Sequence, residues 1–138
     1  MAGVLKVGIA DWKLCSSPDT ITTIGLGSCV GVVIYTPSDS FCGMLHIMLP
    51  SSKEIKNNTN RAKFADTGVE DMVLALEKRG MKRASMKAKI AGGAKMFQFS
   101  GKSELGTVGD RNVDAVKAAL KSYRIPIVSE DCGADFGR

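Results

Sequence analysis

Apolar residues in the first third of the chain come in short runs rich in β-branched side chains. Residues 4–9 alternate loosely, residues 20–26 carry Thr20, Ile21, Thr22, Thr23 and Ile24, and residues 30–35 read Val-Gly-Val-Val-Ile-Tyr. Branching at Cβ crowds a helix and packs well on a pleated surface, so these runs predict strands. Gly25, Gly27 and Pro37 punctuate them, and a further apolar run over 43–49 is closed by Pro50. Runs that are apolar on both sides imply strands covered on at least one face by helices.

The period changes after residue 66. Val69, Met72, Val73 and Leu76 fall at i, i+3, i+4 and i+7, which predicts a helix, with Thr67 and Glu70 at capping-box spacing and Gly80 as its stop. A second helix is expected to start near Asp110 or Asn112, with Val113, Val116 and Leu120 as its buried stripe. Between them, residues 86–91 alternate lysine with apolar residues, the pattern of a half-exposed strand. Residues 125–128 read as a last strand, which Pro126 suggests is an edge. Residues 51–61 are polar and aperiodic and read as a mobile surface loop. Strands, helix, strand, helix, strand predict a mixed α/β or α+β layered domain over residues 1–138, without internal repeat or linker.

Composition agrees with that picture. A chain of 138 residues, 44% hydrophobic and 24% charged, suits one domain with a real core. No stretch approaches the roughly 20 apolar residues of a membrane span, and residues 1–10 lack the apolar core of a secretory signal. A cytoplasmic, reducing location follows as an expectation, so Cys15, Cys29, Cys42 and Cys132 are read as free thiols. The formal charge of +5 is densest at Lys78, Arg79, Lys82, Arg83, Lys87 and Lys89. That cluster suits a solvated helix end and exposed strand, or an acidic partner. Nucleic acid is not expected, because the aromatic-and-basic signatures of its usual binding folds are missing.

The chemically dense segment is Thr23-Ile24-Gly25-Leu26-Gly27-Ser28-Cys29-Val30-Gly31. Gly27 and Ser28, small residues just before Cys29, permit a tight turn that brings amide N–H groups near the sulfur. A thiol attacking an amide needs such donors, because the tetrahedral intermediate carries an oxyanion. It also needs a base, since a free thiol with a pKa of about 8.5 is only a few per cent thiolate at neutral pH. A thiol pKa below that of the other cysteines would mark the nucleophile. The single histidine, His46, lies in the next apolar run, and an antiparallel strand would bring it beside Cys29. Thr23 has a hydroxyl able to accept a hydrogen bond from the imidazole.

Other readings of the same residues stand beside this one. A cysteine or histidine on an apolar strand also fits a plain core position. Gly25, Gly27 and Gly31 miss the dinucleotide fingerprint, with the last glycine one position too late and a strand following. Cys42 and His46 have a zinc-compatible spacing but no second pair to complete four ligands. Cys15 sits in a loop-like segment over 14–18, and it, Cys42 and Cys132 are read as structural.

Four motifs in order tip the balance. Residues 23–30 (Thr-Ile-Gly-Leu-Gly-Ser-Cys-Val), residues 45–50 (Leu-His-Ile-Met-Leu-Pro), Gly92-Gly93-Ala94-Lys95-Met96 and Gly109-Asp110-Arg111-Asn112 resemble the signatures of the CheD family of chemoreceptor glutamine deamidases. The resemblance covers nearly the whole chain. It implies a triad of Cys29, His46 and Thr23, with Thr23 preferred to Thr22 because its distance to the cysteine fits the family pattern. Alternation along a strand puts the two threonines on opposite faces, so only one can serve. It implies hydrolysis of receptor glutamine to glutamate through a cysteine thioester, with Ser28 and Gly27 supporting the turn and oxyanion site. No metal or organic cofactor is required.

The fold implied is a three-layer α/β/α sandwich with a mixed, largely antiparallel sheet, similar to toxin-type deamidases. The partners implied are methyl-accepting chemotaxis receptors as substrate and the CheC phosphatase, without insertion into the membrane. Residues 92–97 are expected to form a tight turn supporting the site, or a partner surface. The family pattern runs on past the ending seen at 132–138, so a C-terminal tail is expected to be missing, and Ala91 stands where a bulkier residue is usual. The alternative is a non-catalytic adaptor that binds CheC or receptors and regulates the phosphatase, for which Thr23, Cys29 and His46 together would be superfluous.

Overall fold

The computed structural model describes residues 2–54, 59–95, 107–134 and 138. Its strands are β1 (Val4–Lys6), β2 (Asp11–Ser16), β3 (Thr20–Thr22), β4 (Val30–Tyr35), β5 (Phe41–Ile47), β6 (Lys87–Gly92) and β7 (Ile127–Cys132). Its helices are α1 (Ala65–Lys78) and α2 (Val108–Ser122). β1 and β3 pair in parallel as a small sheet, and the other strands form a second sheet in the order β2-β5-β4-β6-β7. Every pair in the larger sheet is antiparallel except β6 with β7, which puts the Pro126-flanked last strand at an edge, as expected. The sheet is therefore mixed and largely antiparallel.

The pleat sorts β4 and β5 into two faces. Val30, Val32 and Ile34 point one way, beside Leu45 and Ile47 of β5, and all are sealed from solvent. They pack with Val69, Met72, Val73 and Leu76 of α1 and with Val113, Val116 and Leu120 of α2, the two stripes predicted from spacing. Each such side chain contributes about 1.5–3 kcal/mol by leaving water. α1 lies close because Gly43 and Gly68 leave room for Met72 and for Leu45 with Ile47.

Both helices thus cover the same face. Among the described residues, the other face of β4 and β5 is approached at Gly31 by the segment that follows β3. Gly31 permits that arrangement, because a side chain there would stand 3.3 Å from Leu26 Cδ2 and 3.6 Å from Thr23 Cγ2.

Some element ends differ from expectation. β2 occupies 11–16, where Cys15 was read as a loop residue, and the extended run over 20–26 pairs only as far as Thr22. α1 begins at Ala65 without a side-chain cap. Asp66 accepts from the Ser52 N–H (3.1 Å) and hydroxyl (2.9 Å), while Thr67 donates its hydroxyl to Arg61 O at 2.6 Å, so no Thr67–Glu70 capping box forms. α2 starts at Val108, capped by the Thr107 hydroxyl, which accepts from the Asp110 N–H at 3.1 Å. The loop expected over 51–61 contains 3₁₀ turns at Ser52–Glu54 and Arg61–Lys63, and its residues 55–58 lie outside the described residues. In the basic cluster, Arg79 lies over the Phe41 ring, Arg83 over Tyr123, and Lys89 over Tyr35. No described helix is long and apolar enough to cross a membrane.

Candidate active site

The segment between β3 and β4 folds back over the sheet as a tight turn. Gly25 and Gly27 have φ of 67° and 51°, and the Cys29 N–H donates to Leu26 O at 2.6 Å. Leu26 is buried over Gly31, and its own N–H donates to Arg138 O at 2.9 Å. On the other side, Gly93 N–H donates to Cys29 O and Ala94 N–H to Gly27 O, each at 2.8 Å. That approach requires the glycine at 92: a Cβ there would stand 2.2 Å from Cys29 O, and its φ is 105°. The tight turn expected near residues 92–97 is present at Gly92–Ala94, where it holds the cysteine loop, while positions 96 and 97 lie outside the described residues. Cys29 is consequently fixed by main-chain bonds before and after it.

His46 is brought to the same place by register. It faces Gly31 across the β4–β5 pair, and its neighbour Ile47 faces Val30, the residue after Cys29. The imidazole is 0% exposed. Its Nδ1 lies 2.8 Å from the Thr23 hydroxyl oxygen, which also lies 2.7 Å from Val7 O and donates to it. A hydroxyl has one proton. With that proton given to Val7 O, Thr23 can only accept from His46, so Nδ1 carries the hydrogen and Nε2 keeps its lone pair. Nε2 is buried and has no hydrogen-bond partner among the described residues. Thr22 ends β3, and the hydroxyl on the imidazole is that of Thr23.

Burial acts on both reactive groups. It pushes the Cys29 thiol above its ordinary pKa and the His46 imidazole below its own, so both groups are neutral at pH 7. Cys15, Cys42 and Cys132 are also pushed up, first of all by burial, so the direction of shift does not single out Cys29. Position does: Cys29 precedes Val30, which pairs with the neighbour of His46, whereas Cys42 lies towards the other end of β5. Cys15 and Cys42 face each other across β2 and β5 and line a hollow of about 520 Å³ further along the sheet, which neither Cys29 nor His46 lines. Cys132 ends β7.

Ser28 and Gly27 form the centre of the turn. The Cys29 N–H is taken by Leu26 O, so this amide is engaged inside the loop. One residue of the site was not legible beforehand. Asn112 of α2 is 0% exposed, and its side-chain NH₂ donates to Ser28 O and Met48 O, both at 2.9 Å. The Gly109–Asn112 motif was the only sequence signal pointing to it, and that motif carried no role.

Comparison with known proteins places this geometry in a lineage. A family model described as CheD chemotactic sensory transduction matches residues 48–138. A probable chemoreceptor glutamine deamidase CheD of Lachnoclostridium phytofermentans is 54% identical over 138 residues, covering 100% of this chain and 86% of that protein. The chemoreceptor glutamine deamidase CheD of Halalkalibacterium halodurans is 50% identical over 139 residues, covering 100% of this chain and 86% of that protein. The corresponding Bacillus subtilis protein is 48% identical over 138 residues, or 99% of this chain and 83% of its own length. Those similarities extend across Thr23, Cys29 and His46, which precede the segment matched by the family model. The chain belongs to the CheD family.

Proposed function

We propose that this chain hydrolyses glutamine side chains of bacterial chemotaxis receptors to glutamate, with Cys29 as nucleophile, His46 as base and acid, and Thr23 as the hydroxyl that orients the imidazole. It is a protein-glutamine glutaminase, in keeping with the names of its relatives. The observation that carries the reading is the state of His46, with Nδ1–H held by Thr23 and a free, buried Nε2 beside the cysteine loop.

The chemistry follows from that tautomer. A neutral thiol is a weak nucleophile, and Nε2 takes its proton as sulfur attacks the carboxamide carbon. The tetrahedral intermediate collapses by breaking the C–N bond, and the imidazolium returns the proton to the departing ammonia. A thioester remains. Water then attacks it, giving a proton to the same Nε2, and the C–S bond breaks to release the acid as the imidazolium returns that proton to sulfur and restores the thiol. The net change is amide plus water to acid plus ammonia, which balances without a metal or organic cofactor. Charge on the intermediate's oxygen calls for donors close to the sulfur, and Ser28 is the residue of the turn we assign to that task.

The test is ammonia release from a purified chemoreceptor fragment, with the mass change of the modified glutamine as a second readout. Wild type is expected to release ammonia and Cys29→Ala to release none. Ammonia release at the wild-type rate by Cys29→Ala would end the assignment. Binding of the fragment with no chemical change by wild type would favour the adaptor reading. The resemblance also brings CheC as a partner, which co-elution of the two purified proteins would test. A reducing cytoplasm suits a chain whose four cysteines are free.

A further inference from the structure

Beyond Val30 and Ile47 the β4–β5 ladder stops. β4 continues backwards into the cysteine turn, while Met48 leaves to donate its N–H to Lys63 O at 2.8 Å. At this divergence a side chain takes the place of a main-chain rung. The Asn112 NH₂ donates to Ser28 O, one residue before the nucleophile, and to Met48 O, two residues after the base. The two acceptors lie 84 and 64 residues away in sequence.

The orientation of this amide is forced by its neighbours. Both partners are carbonyls, so the NH₂ must face them, and the reverse orientation would set oxygen against oxygen. The remaining atom, Oδ1, is buried and has no partner among the described residues. An apolar residue of similar volume would fill this part of the core and spare the unpaired Oδ1, but it would leave Ser28 O and Met48 O without this donor. Packing therefore gives no reason for an asparagine here, whereas two donors on one nitrogen do. Aspartate lacks both donors, and glutamine is longer by a methylene.

We propose that Asn112 is a positioning residue that clamps the cysteine turn to the exit of the histidine strand and so sets the separation of Cys29 Sγ from His46 Nε2 during the reaction. This rests on the reading of Cys29 and His46 as nucleophile and base. The bonds Asn112 makes are to main-chain carbonyls and to neither Sγ nor Nε2.

The variant Asn112→Leu removes both donors and the unsatisfied oxygen while keeping volume. In the full chain, kcat on a chemoreceptor fragment is expected to fall by roughly 10–100-fold with KM within about threefold, the scale of an ångström-sized misplacement. Asn112→Ser, which keeps a single donor in a smaller side chain, is the second variant and is expected to fall between Asn112→Leu and wild type. Melting curves confirm that each variant tested is folded.

A separate readout distinguishes positioning from general loosening, namely the rate of Cys29 alkylation by iodoacetamide near neutral pH. Asn112→Leu is expected to slow it several-fold while His46 is present and to change it less than twofold in the His46→Ala background. Wild-type kcat in a folded Asn112→Leu would overturn the proposal, as would an equal slowing of alkylation in both backgrounds. Loss of activity in Cys29→Ala together with full activity in Asn112→Leu would refute only the clamp, whereas activity in Cys29→Ala would remove the reading beneath it.

Discussion

The two faces of the β4–β5 pair are built from alternate residues of the same strands, yet they obey different rules. The helix-covered face, Val30, Val32, Ile34, Leu45 and Ile47, is wholly apolar and sealed. One residue out of phase, the other face presents Gly31 and His46 under a turn held almost entirely by main-chain hydrogen bonds. The first face draws its stability from area removed from water, which is non-directional and tolerant of detail. The second depends on donors and acceptors aimed at particular atoms, and it carries an orphan nitrogen at Nε2. A buried unsatisfied group of this kind costs about 1–3 kcal/mol, a cost that an ordinary core position avoids. Strands can thus carry a packing face and a reacting face with little interference, because the pleat insulates one from the other.

That separation can be broken in graded ways. His46→Ala is expected to lower kcat by about 10²–10⁴-fold, the contribution of a positioned base, while leaving the melting temperature close to wild type or above it. A melting temperature far below wild type would show that the imidazole belongs to the core after all. Leu45→Ala, one residue away on the other face, should do the reverse. It is expected to cost about 2–5 kcal/mol in a denaturant titration, with deamidation per folded molecule unchanged.

Thr23→Val keeps the shape and loses both the bond to Nδ1 and the donation to Val7 O. A fall in kcat of about tenfold is expected, the scale of one hydrogen bond, and an unchanged rate would remove Thr23 from the site. The smallest effect concerns pH. Nε2 must be unprotonated to accept from the thiol, and burial lowers the imidazole below its ordinary value of 6.5. Activity should therefore hold from neutral pH to below 6.5 and then fall as pH drops through the lowered value. An acid limb centred at or above pH 7 would contradict a desolvated, neutral His46.

Much of the packing face was readable beforehand, because burial leaves a periodic trace. Val69, Met72, Val73 and Leu76, and Val113, Val116 and Leu120, were recognisable from helical spacing, and 30–35 from its branched residues. β2 was missed, although Trp12 and Leu14 alternate with Lys13, because the Ser-Ser-Pro that follows gave the segment the look of a loop. The run over 20–26 was read as too long a strand, since Gly25 and Gly27 take positive φ and leave the ladder. The Thr67–Glu70 spacing suggested a cap, but Asp66 and Thr67 make tertiary bonds instead, and tertiary partners outweigh local ones.

For the proposed site, local motifs and a resemblance pointed to Cys29, His46 and Thr23, and the structure brings Thr23 and His46 together. They gave Asn112 no role, because its role exists only when residues 28, 48 and 112 meet in space.

The Thr23–His46 bond has a spectroscopic consequence. Because His46 is the only histidine in the chain, histidine labelled with ¹⁵N in the ring places two signals in the whole protein, one for each ring nitrogen. A ring held as the Nδ1–H tautomer gives those nitrogens well-separated resonances, and protonation draws them together. The protein therefore carries its own reporter. Following the pair through a titration, or after adding a receptor fragment, reads out the base without contribution from any other residue.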